Sequence, residues 1–331
     1  MSNSKHFSVA GKKAIVTGGA GFLGRVVVRK LAERGCTDVI VPRRRSCDLS
    51  CAGDVARLLD STEPDFVLHL AGTVDDPAGR TDIATSFSNN VLMATHLIDA
   101  AARRGVAKMV TVGSASSYSP SAPMPLREGD LFSGLPDTSR LAYGIAKRLP
   151  VIHAYASRLQ HGFLCISLIP TNFYGPEDNF DPDTSYVIPS LIRRFVEAAD
   201  ARVAGVTLRG TGGATRDFLH VEDCAEGIIL ALERYQGMHP VNLGSGTEVR
   251  IADLAAQIAR LAGFSGKILW DARYPDGPPR RVLDTSRAKR EFGFRVRRNL
   301  QDGLRETLDW YRANQQDARH DEEARAVASR V

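Results

Sequence analysis

The chain has 331 residues, 43% of them apolar and 24% charged, with a formal net charge of +5. That balance excludes a disordered chain and leaves room for one large domain or two smaller ones. No apolar run approaches the roughly 20 residues that cross a bilayer, and the basic excess sits in short groups (Arg43 to Arg45, Arg193-Arg194, Arg280-Arg281) that suit small anions better than a nucleic-acid face.

Residues 12–17 form a short apolar run ending at glycines, as a buried strand does, and residues 22–34 carry apolar side chains at helical spacing. A strand at 38–41, a helix near 56–60 and a strand at 66–71 follow. Next come a helix over 89–104 and a strand at 108–112. Alternating strands and helices predict a Rossmann-type doubly wound α/β fold with a parallel sheet. The stretch 170–189 carries four prolines and reads as one long loop. Helices are expected at 187–199, 221–235, 251–262 and 300–314, with strands at 206–208 and 241–243. The expected domains are 1–172, with a return segment near 216–245, and a smaller C-terminal α/β substrate domain over the rest of 173–314. Residues 315–331 lack an apolar face and read as a frayed polar tail.

The cysteines (Cys36, Cys47, Cys51, Cys165, Cys224) are scattered without metal-ligand spacing, so no metal is expected and the thiols read as reduced. Residues 1–11 lack the apolar core of a signal peptide. Together these point to a cytoplasmic protein.

Gly18, Gly21 and Gly24 stand between the first strand and the first helix. There, bare backbone lets a pyrophosphate approach a helix N-terminus. An acidic residue at the end of the second strand would bond a ribose 2′-hydroxyl; this chain has Arg43, Arg44 and Arg45 instead. Guanidinium forks suit a 2′-phosphate, so NADP(H) is expected over NAD(H), with a solvated basic turn as the alternative. Arg25, just past the third glycine, is placed to help, and Asp48-Leu49 falls where an adenine edge would lie.

Tyr143 and Lys147 stand four residues apart, on one side of a helix, and Ser114 lies upstream. An ammonium near a phenol lowers the phenol's pKa, making it a proton donor to a carbonyl oxygen. Alone this spacing is common on solvated helix faces; with the serine and the glycine turn in order, the chemical reading is the stronger one.

These residues resemble the extended short-chain dehydrogenase/reductases that act on nucleotide sugars. The stretches PTNFYGPEDNF (170–180), VIPSLIRRF (187–195), TRDFLHVED (215–223) and PDGPPRR (275–281) are similar to the GDP-L-fucose synthases. The resemblance implies a Ser114–Tyr143–Lys147 triad, with Asn90 as the helix asparagine. It adds Phe22, Leu23, Ala71 and Pro170 to the cofactor contacts, and Lys147 joins them through the nicotinamide ribose. It also implies a GDP-linked 4-keto-6-deoxy sugar as partner, contacted by Ser116, Asn172, Tyr186, Val187, Arg194, Arg209, Arg216, Asp276 and Arg281. Arg216 would lie at the pyrophosphate, and Arg209 stands where a tryptophan near the guanine is expected. A homodimer is expected, with no nucleic-acid or membrane partner.

Fucose synthases invert the sugar at positions 3 and 5 before reducing the 4-ketone, using a cysteine two residues after the triad serine and a histidine before Val-Ile-Pro. This chain has Ser116 and Tyr186 there. Neither has an ordinary pKa near neutrality, as a proton shuttle needs. The reading is a 4-keto reductase without epimerisation, with a bifunctional synthase as alternative. A 4,6-dehydratase is disfavoured because Ala115 and Ser116 replace the carboxylates it needs. A 4-epimerase and a non-catalytic sensor are more remote.

Overall fold

The computed structural model describes residues 7–73 and 82–328. In chain order the elements begin β1 (Lys13–Thr17), α1 (Phe22–Glu33), β2 (Asp38–Ile40), α2 (Ala52–Thr62), β3 (Phe66–His69), α3 (Ile83–Arg103) and β4 (Lys108–Val112). Then follow α4 (Leu141–His161), β5 (Cys165–Pro170), β6 (Asn172–Tyr174), α5 (Val187–Asp200), β7 (Gly205–Arg209), β8 (Thr215–Arg216) and β9 (Phe218–His220). The chain closes with α6 (Val221–Arg234), β10 (Val241–Leu243), β11 (Val249–Arg250), α7 (Ile251–Leu261), β12 (Lys267–Asp271), α8 (Ser286–Phe292) and α9 (Leu300–Ala328).

Contacts divide the chain into two compact units. Unit 1 runs to Phe173 and takes in Arg216–Glu248 and Arg280–Arg297; unit 2 holds Tyr174–Thr215, Val249–Pro279 and the chain from Arg298. Unit 1 is built on a six-stranded sheet in the order β10-β5-β4-β3-β1-β2, with parallel pairings such as Ala14↔Phe66 and Val67↔Met109.

Period-two alternation assigns the two faces of this sheet. Val16, Leu68, Val110 and Ile166 pack with α1 and α6, on Val27, Leu31 and Ile228. Ile15, Val67 and Met109 pack the other way, on Val55 and Leu59 of α2 and Leu97 and Ile98 of α3. Each of these side chains, fully buried, contributes about 1.5–3 kcal/mol. The doubly wound parallel sheet expected from the sequence is thus present.

Local signals set the helix ends. The Asp82 carboxylate accepts from Ala84 N (3.0 Å) and Thr85 N (3.2 Å) to start α3, and Gly162 at φ 67° closes α4 in the left-handed region.

The structure departs from the sequence reading in several places, α8 among them. Pro170 closes β5, β6 follows it, and Pro189 lies in the first turn of α5, where a missing N–H costs nothing; the expected single loop is therefore shorter. Strand β12 pairs with β7 in parallel, and its five residues are too few to show a period in the sequence. The expected frayed tail from residue 315 is helix as far as Ala328. Residues 315–328 are rich in Ala, Glu, Gln and Arg, whose helix propensity carries the turn onward without an apolar face.

The segment after β4 is tied down by Asn242 on β10, which is fully buried. Its Nδ2 donates to Leu126 O (3.0 Å) and Asp284 O (3.1 Å), its N–H to Glu128 Oε1 (3.0 Å), and its Oδ1 accepts from Tyr118 Oη (2.7 Å). Asn242→Leu orphans a hydroxyl and two carbonyls. It is expected to lower the unfolding free energy in urea by about 3 kcal/mol or more, with partial recovery on adding Tyr118→Phe; a loss below about 1 kcal/mol would contradict the network.

Candidate active site

The turn between β1 and α1 requires bare backbone. A Cβ on Gly24 would stand 2.0 Å from Gly18 O. No side chain caps α1 and no acidic residue lies in its first turn, so its leading N–H groups keep their positive dipole end for an anion. A cleft of about 410 Å3 opens here, lined by Gly18, Gly21, Asp48, Leu49 and Ala71, with Arg43 and Arg44 at its rim. The Asp48 carboxyl accepts from Ser50 Oγ (2.7 Å) and Ser50 N (2.9 Å), and those bonds hold it below the usual carboxylate range. The cleft therefore fits a dinucleotide, with two exposed guanidiniums and no free acidic side chain at the strand end. Leu23 and Pro170 are buried, so only their backbone is available to a ligand. Phe22 packs on Phe173, with centroids 5.8 Å apart. Neither Arg25 nor Arg45 lines the cleft.

At the carboxyl edge of the same sheet, Lys147 from α4 donates to Val112 O at 3.4 Å, and its Nζ lies 5.9 Å from the centre of the Tyr143 ring. Burial lowers its pKa to about 8. A Cβ on Gly72 would stand 2.8 Å from Lys147 Nζ and 3.2 Å from Asn90 Oδ1, so the loop after β3 presses against both. Asn90 clamps that loop: its Oδ1 accepts from Thr73 N (3.0 Å), and its Nδ2 donates to Thr73 O (2.8 Å) and Ser86 O (3.0 Å). Ser114 follows β4, and its Oγ accepts from Ser116 N at 3.2 Å.

Sequence reasoning missed His69, the one polar residue in the run 66–71. It is buried against Thr17 Oγ1 (2.8 Å). Burial, and then the charge of Lys147, push its pKa down to about 3, so the imidazole is neutral at working pH. Its place inside an apolar strand was the available signal.

Arg281 Nη1 donates to Ser116 Oγ at 3.4 Å. Its pKa falls to about 10, chiefly through burial and then through Arg216; Arg140 acts in the same direction and Asp137 against it. Unit 1 thus brings Arg216 and Arg140 within charge range of Arg281, the guanidinium that reaches Ser116, an arrangement that can bind a polyanion. Asn172 lies on β6, half-buried.

In unit 2, Arg194 on α5 donates to Thr207 O. Asp276 accepts from Thr211 N (2.7 Å) and from Thr211 Oγ1. Tyr186 and Val187 are exposed at the start of α5. The Arg209 guanidinium lies 4.7 Å over the Tyr274 ring. Nothing local in the sequence signalled Tyr274, because its neighbour Arg209 reaches it only through the β7–β12 pairing.

A parallel sheet with a bare glycine turn at one strand end and a Ser, Tyr and Lys set at its carboxyl edge defines the short-chain dehydrogenase/reductases, an oxidoreductase class. The family model described as "NAD dependent epimerase/dehydratase family" matches residues 14–244. The probable GDP-L-fucose synthase 1 of Oryza sativa subsp. japonica is 39% identical over 306 residues, covering 92% of this chain and 93% of that protein. Two Campylobacter jejuni structures are similar at 25% identity. A GDP-6-OMe-4-keto-L-xylo-heptose reductase has TM-score 0.85, with 93% of this chain and 99% of that one covered. A GDP-mannoheptose C4 reductase with NADP bound has TM-score 0.83, with 91% and 98% covered. The chain belongs to the NAD-dependent epimerase/dehydratase family, in its GDP-L-fucose synthase-like branch.

Lys147 carries a stability cost with a definite pH sign. Below about pH 8 the folded and unfolded chains both hold the proton, so folding bears the desolvation cost in full. The cost fades as pH climbs from about 8 to the ordinary lysine value of 10.5. Lys147→Met is expected to be more stable than the parent by about 1–3 kcal/mol at neutral pH in urea melts, with the gap shrinking in alkali. A variant that is less stable at neutral pH contradicts this.

Proposed function

We propose that the protein is an NADPH-dependent reductase of the 4-keto group of a GDP-4-keto-6-deoxy sugar, hexose or heptose, acting without 3,5-epimerisation. The observation that carries it is the Tyr143–Lys147 pair at the carboxyl edge of the sheet, beside a cleft rimmed by Arg43 and Arg44. The NADP bound to the Campylobacter jejuni reductase supports the cofactor, and the GDP-sugar names of the relatives support the substrate class. The dinucleotide, when bound, supplies the hydride.

The protein's residues do the rest. Tyr143 gives its phenolic proton to the oxygen of the reduced carbonyl, and Ser114 hydrogen-bonds that oxygen. Lys147 holds the ribose by hydrogen bonds and, as a cation, favours the tyrosinate left behind. Arg216 and Arg281 neutralise the diphosphate with forked donors; Asn172 is assigned to the nucleotide part with them.

Loss of epimerisation is supported by what surrounds Ser116. Its hydroxyl accepts from a guanidinium instead of standing as a titratable acid. The bifunctional synthase is the second reading, favoured by the name of the 39% identical relative.

Incubation with GDP-4-keto-6-deoxymannose in heavy water without NADPH separates the two. Retained protium at positions 3 and 5, followed by NADPH oxidation once the cofactor is added, is the expected result; deuterium at those positions selects the synthase. Tyr143→Phe is expected to lower turnover by about 10²–10⁴-fold with NADPH affinity held within a few fold, and undiminished turnover contradicts its role.

A homodimer and a cytoplasmic location belong to the same reading. Exposed Ile152 (51%), Tyr155 (46%) and Leu159 (64%) line one face of α4, an apolar stripe that suits a second copy. The five cysteines are free, as in a reducing compartment, and no helix among the described residues is long and apolar enough to cross a membrane. Leu159→Glu is expected to convert a dimer into a monomer in light-scattering chromatography; a wild-type monomer contradicts the stripe's assignment.

A further inference from the structure

Helix α4 carries Tyr143 and Lys147 on one line and, one residue further round, Gly144 and Arg148 on the next. That second line meets the turn that bears Ser114. Bare backbone at Gly144 lets the two come together, since a Cβ there would stand 2.8 Å from Ser116 O and 2.7 Å from Pro136 Cβ. Arg148, only 5% exposed, then reaches across. Its Nε donates to Ser117 O at 2.6 Å and its Nη1 to Gly134 O at 2.7 Å. Ser117 ends the short turn that Ser114 opens: Ser117 N donates to Ser114 O at 3.0 Å, and Ser114 Oγ accepts from Ser116 N at 3.2 Å. One guanidinium therefore joins the serine turn and the segment 131–136 to the reactive helix.

A guanidinium is a costly choice for packing alone. Burial acts against its charge, and Nη2 is buried without a hydrogen-bond partner among the described residues. Its planar fork can, however, hold carbonyls from two separate segments in fixed geometry, which an apolar side chain cannot do. Ser114 needs such a brace, because it lies in the loop after β4 and its partners lie on α4. A hydroxyl that must meet the substrate oxygen is sensitive to its position; a shift of about 1 Å can cost about 10²-fold in rate.

We propose that Arg148 is a positioning residue of the reductase site. It holds the turn that carries Ser114 against the helix that carries Tyr143 and Lys147, and it acts through Ser114 without touching substrate. This rests on the reading of Ser114, Tyr143 and Lys147 as the reducing set.

The test is a double-mutant cycle, read as NADPH oxidation with GDP-4-keto-6-deoxymannose. Arg148→Met is expected to lower kcat about tenfold or more, with KM and the NADPH dissociation constant within about threefold of the parent. In a Ser114→Ala background the same substitution is expected to cost no more than about twofold, because the group it serves is gone. Arg148→Lys, which keeps the charge but lacks the fork, is expected to fall between Arg148→Met and the parent. Equal fold losses in both backgrounds overturn the proposal, as does a parent-like kcat in folded Arg148→Met. If Arg148→Met does not fold, Arg148→Lys is carried through the same cycle, and a parent-like kcat or equal losses there overturn the proposal. Each of these outcomes leaves the reductase reading standing, since the parent still oxidises NADPH. A parent that oxidises none, or a Ser114→Ala variant with parent-like turnover, overturns the reading of the reducing set and the proposal with it.

Discussion

An ammonium is held at the carboxyl edge of a parallel sheet, where burial acts against its charge. Lys147 is held there by Val112 O at 3.4 Å, and the bare backbone of Gly72 leaves it room. Asn90 fixes the Gly72–Thr73 loop through both of its amide atoms, which explains an asparagine in the middle of α3 without any contact to substrate. His69 lies within the field of Lys147, and its burial keeps it neutral. A charged imidazole there would add a second cation to a site that already disfavours the first. Lys147 is thus set in place by the loop that Asn90 clamps and by the bare backbone of Gly72.

Cations brought together by the fold stand out against the pairing seen elsewhere. Several surface arginines sit on carboxylates, as in Arg29 with Glu33 and Arg104 with Asp60; such exposed pairs contribute little. Beside Ser116, Arg281 is buried and feels the charges of Arg216 and Arg140 as well as that of Asp137. Like charges kept close in a buried setting oppose folding, and here burial and Arg216 both act against the Arg281 charge. The Ser116 oxygen accepts from Arg281, which ties the residue two places after Ser114 to that cationic group.

Much of unit 1 was legible because its signals are local. Strand β4 at residues 108–112 shows as an apolar run, α1 shows by its helical period, and the glycine turn lies where one must give way to the other. Tyr143 and Lys147 are legible for the same reason, being four residues apart on one helix. Asp48 was found by position, although the bonds to Ser50 that keep it ionised were not. What escaped was short or non-local: β12, α8, the neutrality of His69, and the meeting of Arg281 with Ser116 across 165 positions.

Sequence alone determined the alternation of strands and helices, the glycine turn, the arginines in place of an acid at the second strand end, and the identity of the residues at positions 116 and 186. Each depends on neighbours within a few positions, where period and side-chain chemistry act directly. Tertiary structure alone decided that Arg281 is buried against Ser116 among other cations, which imidazole is kept neutral, and that Tyr274 comes to lie under Arg209. Those outcomes depend on sheet pairing and burial, which bring distant residues within a few ångströms and set the dielectric around each charge.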